Sequence, residues 1–180
     1  MSLPIDGLDN LDTRFLLHVI AVKHGLPYIY AGAVGTGGLV MPILPCSIQQ
    51  GRSITWSSEQ STPCLRCIFP EPAPPGSTPT CDTAGILGPT IAAVTAQQAA
   101  IALSLLIGRI DGIDRSMHSI DPWTGDDRRM QTGTPRDDCP CCHDHVFEWL
   151  EGKRERQTEA LGGRDTVQIL PAMMCRVDLE

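Results

Sequence analysis

Aromatic side chains make up only 4% of the 180 residues, so any core this chain builds must be aliphatic, from Ile, Leu, Val, Ala and Met. Positive charge is also short: 14 Lys and Arg stand against 21 Asp and Glu, for a net charge of −7. Nucleic-acid phosphates are held by clustered Lys and Arg, so a general nucleic-acid binder is excluded. The basic stretch Lys153-Arg154-Glu155-Arg156 is interrupted by acid and fits a solvated helix end. No basic region followed by an apolar one opens the chain, which argues against a secretory leader. No stretch reads as a membrane span either. The best candidate, Ile86–Ile107, carries Pro89, Thr95, Gln97, Gln98 and Ser104 and fits a core helix better. The expectation is a soluble, cytoplasmic protein with neither nucleic acid nor membrane as partner.

A chain of this length suits one domain with a buried core. Asp9, Asn10 and Asp12 are capping residues ahead of Phe15, Leu16, Val19, Ile20 and Val22, whose spacing predicts a helix over Leu11–His24 ended by Gly25. Leu26–Val34 and Leu39–Leu44 are apolar strand candidates flanking Gly35-Thr36-Gly37-Gly38. A phosphate-cradling glycine loop would need a helix after it; a strand follows, so a hairpin is expected. Pro70, Pro72, Pro74, Pro75 and Pro79 make Ile68–Pro79 an extended surface segment. Thr90–Ile107, closed by Gly108, predicts a long Ala-rich helix buried on more than one face. Further strands are expected at Ile113–Ile120 and Arg128–Thr132, a short helix at His143–Glu151, and a last strand at Asp165–Leu170 stopped by Pro171. Together they predict an α/β domain, with strand directions left open.

Cysteine is the residue in surplus: Cys46, Cys64, Cys67, Cys81, Cys139, Cys141, Cys142 and Cys175. Without a secretory signal, paired Cys-x-x-Cys spacing points to metal in a reducing compartment rather than to disulfides. Cys64 with Cys67 and Cys139 with Cys142 are the signature of a four-thiolate zinc site, closed and structural. Cys141, His143 and His145 are neighbours able to replace one ligand, with Cys141 expected to point away. A redox Cys-x-x-Cys is expected at the start of a helix, whereas Cys67 runs into Ile-Phe-Pro-Glu-Pro.

Two other places could carry chemistry. Cys81 precedes a helix start, where a helix dipole favours thiolate; an ordinary loop cysteine fits as well. Asp9, with Asp6, Asn10 and Arg14, could hold magnesium beyond a strand end or simply cap the helix. Cys46 and Cys175 read as structural. His18 and His24 fall on a helix face, with no Ser-His-Asp or His-x-x-x-His spacing to recommend them.

In order, Asp9-Asn10-x-x-x-Arg14, PYIYAGAVGTGGLV, PCLRCIFPE, TCDTAGILGPT before an Ala/Gln-rich helix, and CPCC resemble the HesA/MoeB/ThiF family of ubiquitin-activating-type adenylating enzymes. GRDTVQILP also resembles a C-terminal strand of some members. The resemblance implies a doubly wound, Rossmann-like α/β domain that uses ATP and magnesium to adenylate the C-terminal glycine of a ubiquitin-like or sulfur-carrier protein. It implies that Asp9 lies near magnesium and the ATP phosphates, with Asn10 and Arg14 completing the motif. It further implies a structural zinc held by Cys64, Cys67, Cys139 and Cys142, Cys81 as the conjugating or sulfur-transfer cysteine, and a homodimer.

The family's Gly-x-Gly-x-x-Gly, its ribose-binding acid and its upstream basic phosphate ligands have no counterpart here. Residues 1–180 are therefore expected to be a single domain, the C-terminal portion of an adenylation domain, with an α/β part over about 4–135 and a zinc-linked tail over about 136–180. Such a portion is expected to be inactive alone. The competing expectation is a zinc-stabilised protein-interaction module without catalysis.

Overall fold

The computed structural model describes residues 2–46, 56–73 and 77–153, with the backbone of 160–161 and 166–167. The chain order is α1 (Leu11–Lys23), β1 (Tyr28–Val34), β2 (Gly37–Ile43), α2 (Leu65–Ile68), α3 (Cys81–Ala84), α4 (Gly88–Leu106), β3 (Met117–Asp121), β4 (Asp126–Met130) and the short pair β5 (Ala160–Leu161) and β6 (Thr166–Val167). Strands β1 to β4 form one sheet in that order, each neighbour antiparallel. Parallel pairing among the described residues is confined to two isolated bridges, Ile5 with Ile29 and Gly35 with Ile86.

Both faces of the hairpin are covered, which is why its strands read as continuous apolar runs. Tyr28, Tyr30, Met41 and Ile43 point to one side, into a core shared with Phe15, Val19 and Val22 of α1 and with Cys64, Leu65, Cys67, Cys139 and Cys141. Ile29, Ala31 and Val40 point to the other, where Val94, Ala102 and Leu105 of α4 pack. The register pairs Tyr30 with Met41 and Ala31 with Val40, so the period of two divides cleanly between the layers. Helices thus flank the sheet on both sides.

Helix α1 starts where its cap residues place it: the Asn10 side chain accepts from Thr13 N at 2.8 Å. It ends at Gly25, whose φ of 57° only glycine adopts freely. Helix α4 lies close to β2 because Gly38 has no side chain; a Cβ there would meet Val94 Cγ2 at 2.3 Å. Its buried polar groups are spent on backbone: Thr90 Oγ1 donates to Thr36 O at 2.7 Å and Gln98 Nε2 to Asp6 O at 2.8 Å. The hairpin tip also clips the segment ahead of α4, since Gly35 N donates to Gly85 O and Leu87 N to Gly35 O.

Three expectations need correcting. Helix α4 is buried along one stripe, Thr90, Val94, Gln98, Ala102 and Leu105, while Ile91, Leu103 and Leu106 face out. Among the described residues it is the one helix long and apolar enough to cross a membrane. Residues 143–151 form turns rather than a helix, because His145 takes a left-handed φ of 56° and Val146 N turns back to Pro140 O. Strand β3 starts at Met117, not Ile113, since Asp114 Oδ1 accepts from Ser116 N and holds a turn there. Residues 74–76 of the Pro-rich segment, Arg154 to Arg156 of the basic stretch, Cys175, Pro171 and most of the expected last strand lie outside the described residues; Thr166–Val167 falls within that strand.

Candidate functional site

Cys64 caps the single turn of α2, and Cys67 N donates back to Cys64 O at 3.0 Å. That turn aims both sulfurs the same way. In the second knuckle, Cys139 O accepts from His143 N and Asp144 N, both at 3.1 Å. The two knuckles face one another: Cys64 Sγ lies 3.6 Å from Cys139 Sγ, and Cys67 Sγ 3.5 Å from Cys142 Sγ. All four sulfurs fall within 4.8 Å of one another. A tetrahedral zinc with Zn–S near 2.3 Å requires S···S separations of about 3.8 Å, so the donor set fits that ion. Arg136 N points at Cys67 Sγ at 3.5 Å, an amide bond to sulfur that supports a thiolate.

The sulfurs perturb each other strongly. Hydrogen bonding to Cys139 pushes the Cys64 thiol up, whereas Cys142 and Cys64 as donors hold Cys139 down. Four thiolates at this spacing repel, and a divalent cation resolves the conflict. The cluster could therefore hold a metal ion.

Its surroundings were not legible in advance. Cys141 does not point away: it is buried at 2% exposure and packs inside the core. Its sulfur, that of Cys64 and a ring nitrogen of His18 lie within 4.8 Å of one another. Burial drives the pKa of His18 down to about 3. Arg66, between the two cysteines of the first knuckle, is buried against the Trp149 ring at 5.1 Å and pairs with Glu71 at 3.4 Å. An arginine between two cysteines carries no sequence signal for burial; Trp149 and Glu148, far along the chain, help to cover it.

The other polar cluster sits at the start of α1. Tyr28 Oη donates to Asp6 Oδ2 at 2.6 Å, and Arg14 Nε lies 2.9 Å from the same oxygen, at an angle too bent for a hydrogen bond. Arg14 also donates from Nη2 to Leu8 O at 2.6 Å and stacks over Tyr30 at 5.3 Å. Burial, reinforced by the Asp6 carboxylate, pushes the Tyr28 hydroxyl upward. Arg14 is thus engaged internally. Asn10 spends its Oδ1 on the helix cap and its Nδ2 on Asp9 Oδ1 at 3.1 Å. Asp9 faces outward beside them.

Cys81 is not in a loop but is the first residue of the four-residue helix α3, capped by Thr80. It is half-buried, with Sγ 3.6 Å from Ala33 O. Helix α4 starts later, at Gly88, so its N-terminus does not fall directly on Cys81. Cys46, expected to be structural, is exposed, with Sγ 3.3 Å from Ser61 Oγ.

Comparison with known proteins decides the lineage. The ThiF family model matches residues 3–141. The chain belongs to the ThiF family. This ThiF-family chain is 33% identical over 180 residues to the sulfur carrier protein ThiS adenylyltransferase of Bacillus subtilis, covering 99% of the chain and 48% of that protein. It is 32% identical over 144 residues to the sulfur carrier protein adenylyltransferase of Thermus thermophilus, covering 79% of the chain and 49% of that protein. It spans about half the length of the curated relatives it matches. Among solved structures, E. coli MccB in complex with MccA-N7isoASN superposes with a TM-score of 0.54 at 15% identity, over 78% of this chain and 40% of that one. That likeness establishes a shared fold.

Proposed function

We propose that this chain is the zinc-bearing, sulfur-handling half of an ATP-dependent adenylyltransferase that activates the C-terminal glycine of a ubiquitin-like or sulfur-carrier protein, in a pathway of the thiamin or molybdopterin type. The observation that carries the reading is the match over 99% of the chain to a ThiS adenylyltransferase. In the reaction, a carrier carboxylate oxygen attacks the α-phosphorus of ATP, and pyrophosphate leaves. A sulfur nucleophile then attacks the acyl-adenylate carbonyl, and AMP leaves. Asp9, exposed at the head of α1 beyond the parallel bridge of Ile5, is the residue proposed to face magnesium. Asn10 and Arg14 hold that segment in place through the contacts described. Cys81 is the proposed nucleophile.

Residues 1–180 hold no glycine-rich nucleotide fingerprint. The proposal therefore assigns the phosphate cradle, and completion of a doubly wound sheet, to residues outside this chain, as a division of one adenylation domain. Cys64, Cys67, Cys139 and Cys142 hold a structural zinc, tying the tail from about residue 136 onward to the α/β part. Helix α4 carries no charged residue, and Leu103 and Leu106 are 61% and 55% exposed. That outward face supports a homodimer in which protein, rather than lipid, covers it. None of the seven described cysteines is in a disulfide, which supports a reducing, cytoplasmic setting.

The test uses pyrophosphate exchange with a sulfur-carrier protein, ATP and magnesium. The chain alone is expected to show none. Joined to the nucleotide-binding half of a ThiF-family enzyme, it is expected to exchange, and Cys81→Ser to keep exchange while losing carrier–thiol adducts. Exchange by the isolated chain overturns the division of labour; silence of the joined enzyme overturns the function.

A further inference from the structure

We propose that the outer edge of β4 pairs with the same edge of a second copy of this chain, continuing the sheet across a twofold axis. Strand β4 ends the four-stranded sheet, and no strand lies beyond it among the described residues. All five of its residues, Asp126-Asp127-Arg128-Arg129-Met130, are exposed. The contact is separate from the outward face of α4 and does not depend on the adenylation reading.

The register decides which backbone groups that edge presents. Ile29 N donates to Pro4 O and Ile29 O accepts from Asp6 N, so Ile29 faces away from β2. Successive residues of a strand turn their backbone groups to alternate sides, so Tyr30 and Gly32 face β2. Their partners Met41 and Leu39 face back, which leaves Val40 and Gly38 facing β3. These pair with His118 and Ile120, so Met117, Ser119 and Asp121 face β4. Across from them stand Met130, Arg128 and Asp126. Asp127 and Arg129 are left with their N–H and carbonyl groups on the open edge.

Charges on an open edge discourage indiscriminate pairing, and here their order selects the partner. In an antiparallel pair about a twofold axis beside Arg128, Asp127 stands opposite the partner's Arg129, and Arg129 opposite the partner's Asp127. Both pairs are of unlike charge and on one face. With the axis moved one residue either way, like charges meet, Asp127 with Asp127 or Arg129 with Arg129. On the other face the two Arg128 side chains meet, each held by its own Asp126 at 2.7 Å. Within the chain Asp127 touches His118 and Arg129 touches Asp114, yet their side chains stay 62% and 56% exposed and can reach a partner. Two strands of five residues make a small contact, below about 1,200 Å², so the association is weak and reversible.

Hydrogen exchange of the whole chain is followed by NMR at rising protein concentration. The amides of Asp127 and Arg129 are expected to gain protection, while that of Arg128, which faces β3, changes little. Asp127→Arg and Arg129→Asp each set like charges opposite one another, and each alone is expected to weaken association about tenfold by sedimentation equilibrium. Mixed in equal amounts, the two variants again oppose unlike charges at both positions and are expected to regain the parent's association. Amides whose exchange is independent of concentration overturn the proposal. So does a mixture that associates no better than either variant, or protection that arises only when a sulfur-carrier protein is added. If either variant does not fold, the amide protection in the unaltered chain decides.

Discussion

The sulfurs of Cys64 and Cys139 lie 3.6 Å apart although 75 positions separate the two residues in the chain. The link joins the hairpin side of the domain to the turns that follow β4. Metal-binding energy at such a site is folding energy, so loss of a bound ion is expected to be felt by the whole fold.

Replacing Cys64 or Cys139 with serine is expected to reduce zinc from one ion per chain to near none and to cost more than about 3 kcal/mol of stability. Metal analysis and chemical denaturation check this. Cys46→Ser, at an exposed cysteine outside the cluster, is expected to keep both. Metal affinity is expected to fall as the pH is lowered, because the cysteine thiols must lose their protons to bind.

Arg14 neutralises the buried Asp6 carboxylate, which also accepts from Tyr28. Arg14→Met is expected to cost about 3–5 kcal/mol by leaving that charge unpaired, and Tyr28→Phe about 1–2 kcal/mol. Denaturant titrations measure both. An Arg14→Met chain as stable as the parent would show that the guanidinium is not needed for the fold.

A Cβ on Gly38 meets Val94 Cγ2 at 2.3 Å and Thr90 Cγ2 at 3.2 Å, so Gly38→Ala must push α4 away from β2. The expected loss is about 1–3 kcal/mol. Adding Val94→Ala makes room, and the double variant is expected to lose less than the two single losses combined. Strict additivity in the cycle would contradict the proposed contact.

The Asp114 carboxyl is held below its usual range by the Ser116 backbone N–H first, then by the Ser116 hydroxyl and Arg129, against some desolvation. A folded pKa below the unfolded one gives stability that is present above the unfolded value, near pH 4, and lost as pH falls through the folded value. The side chain is 42% exposed, so solvent screens it, and Asp114→Asn is expected to cost less than about 1 kcal/mol at pH 7. Urea unfolding of both chains should show the gap closing as the pH falls from the unfolded value through the lower folded one. A gap independent of pH would assign the loss to packing.

What could be read in advance was whatever depends on near neighbours. Asn10 and Gly25 bracket α1, Gly108 closes the turn after α4, and both helix spans agree with the structure to within two residues. Each Cys-x-x-Cys pair was visible because one turn aims both of its sulfurs. His18 was not, since what makes it matter is Leu65, 47 positions away. The burial of α4 was misjudged for a related reason: an uncharged helix shows that cover exists, not that this chain supplies it. The turns at 143–151 follow from the Cys139 carbonyl capturing the amides of His143 and Asp144, which a helical apolar spacing does not reveal.

The clip between Gly35 and the segment Gly85–Leu87 gives the hairpin a second use, as a gauge of length. Strand register advances about 3.3 Å per residue, so inserting or deleting one residue at the hairpin tip would carry the clipped segment by a comparable distance. Cys81, anchored to Ala33 on one side and to that segment on the other, would be displaced with it. The loop between β1 and β2 therefore measures where the Cys81 thiol stands.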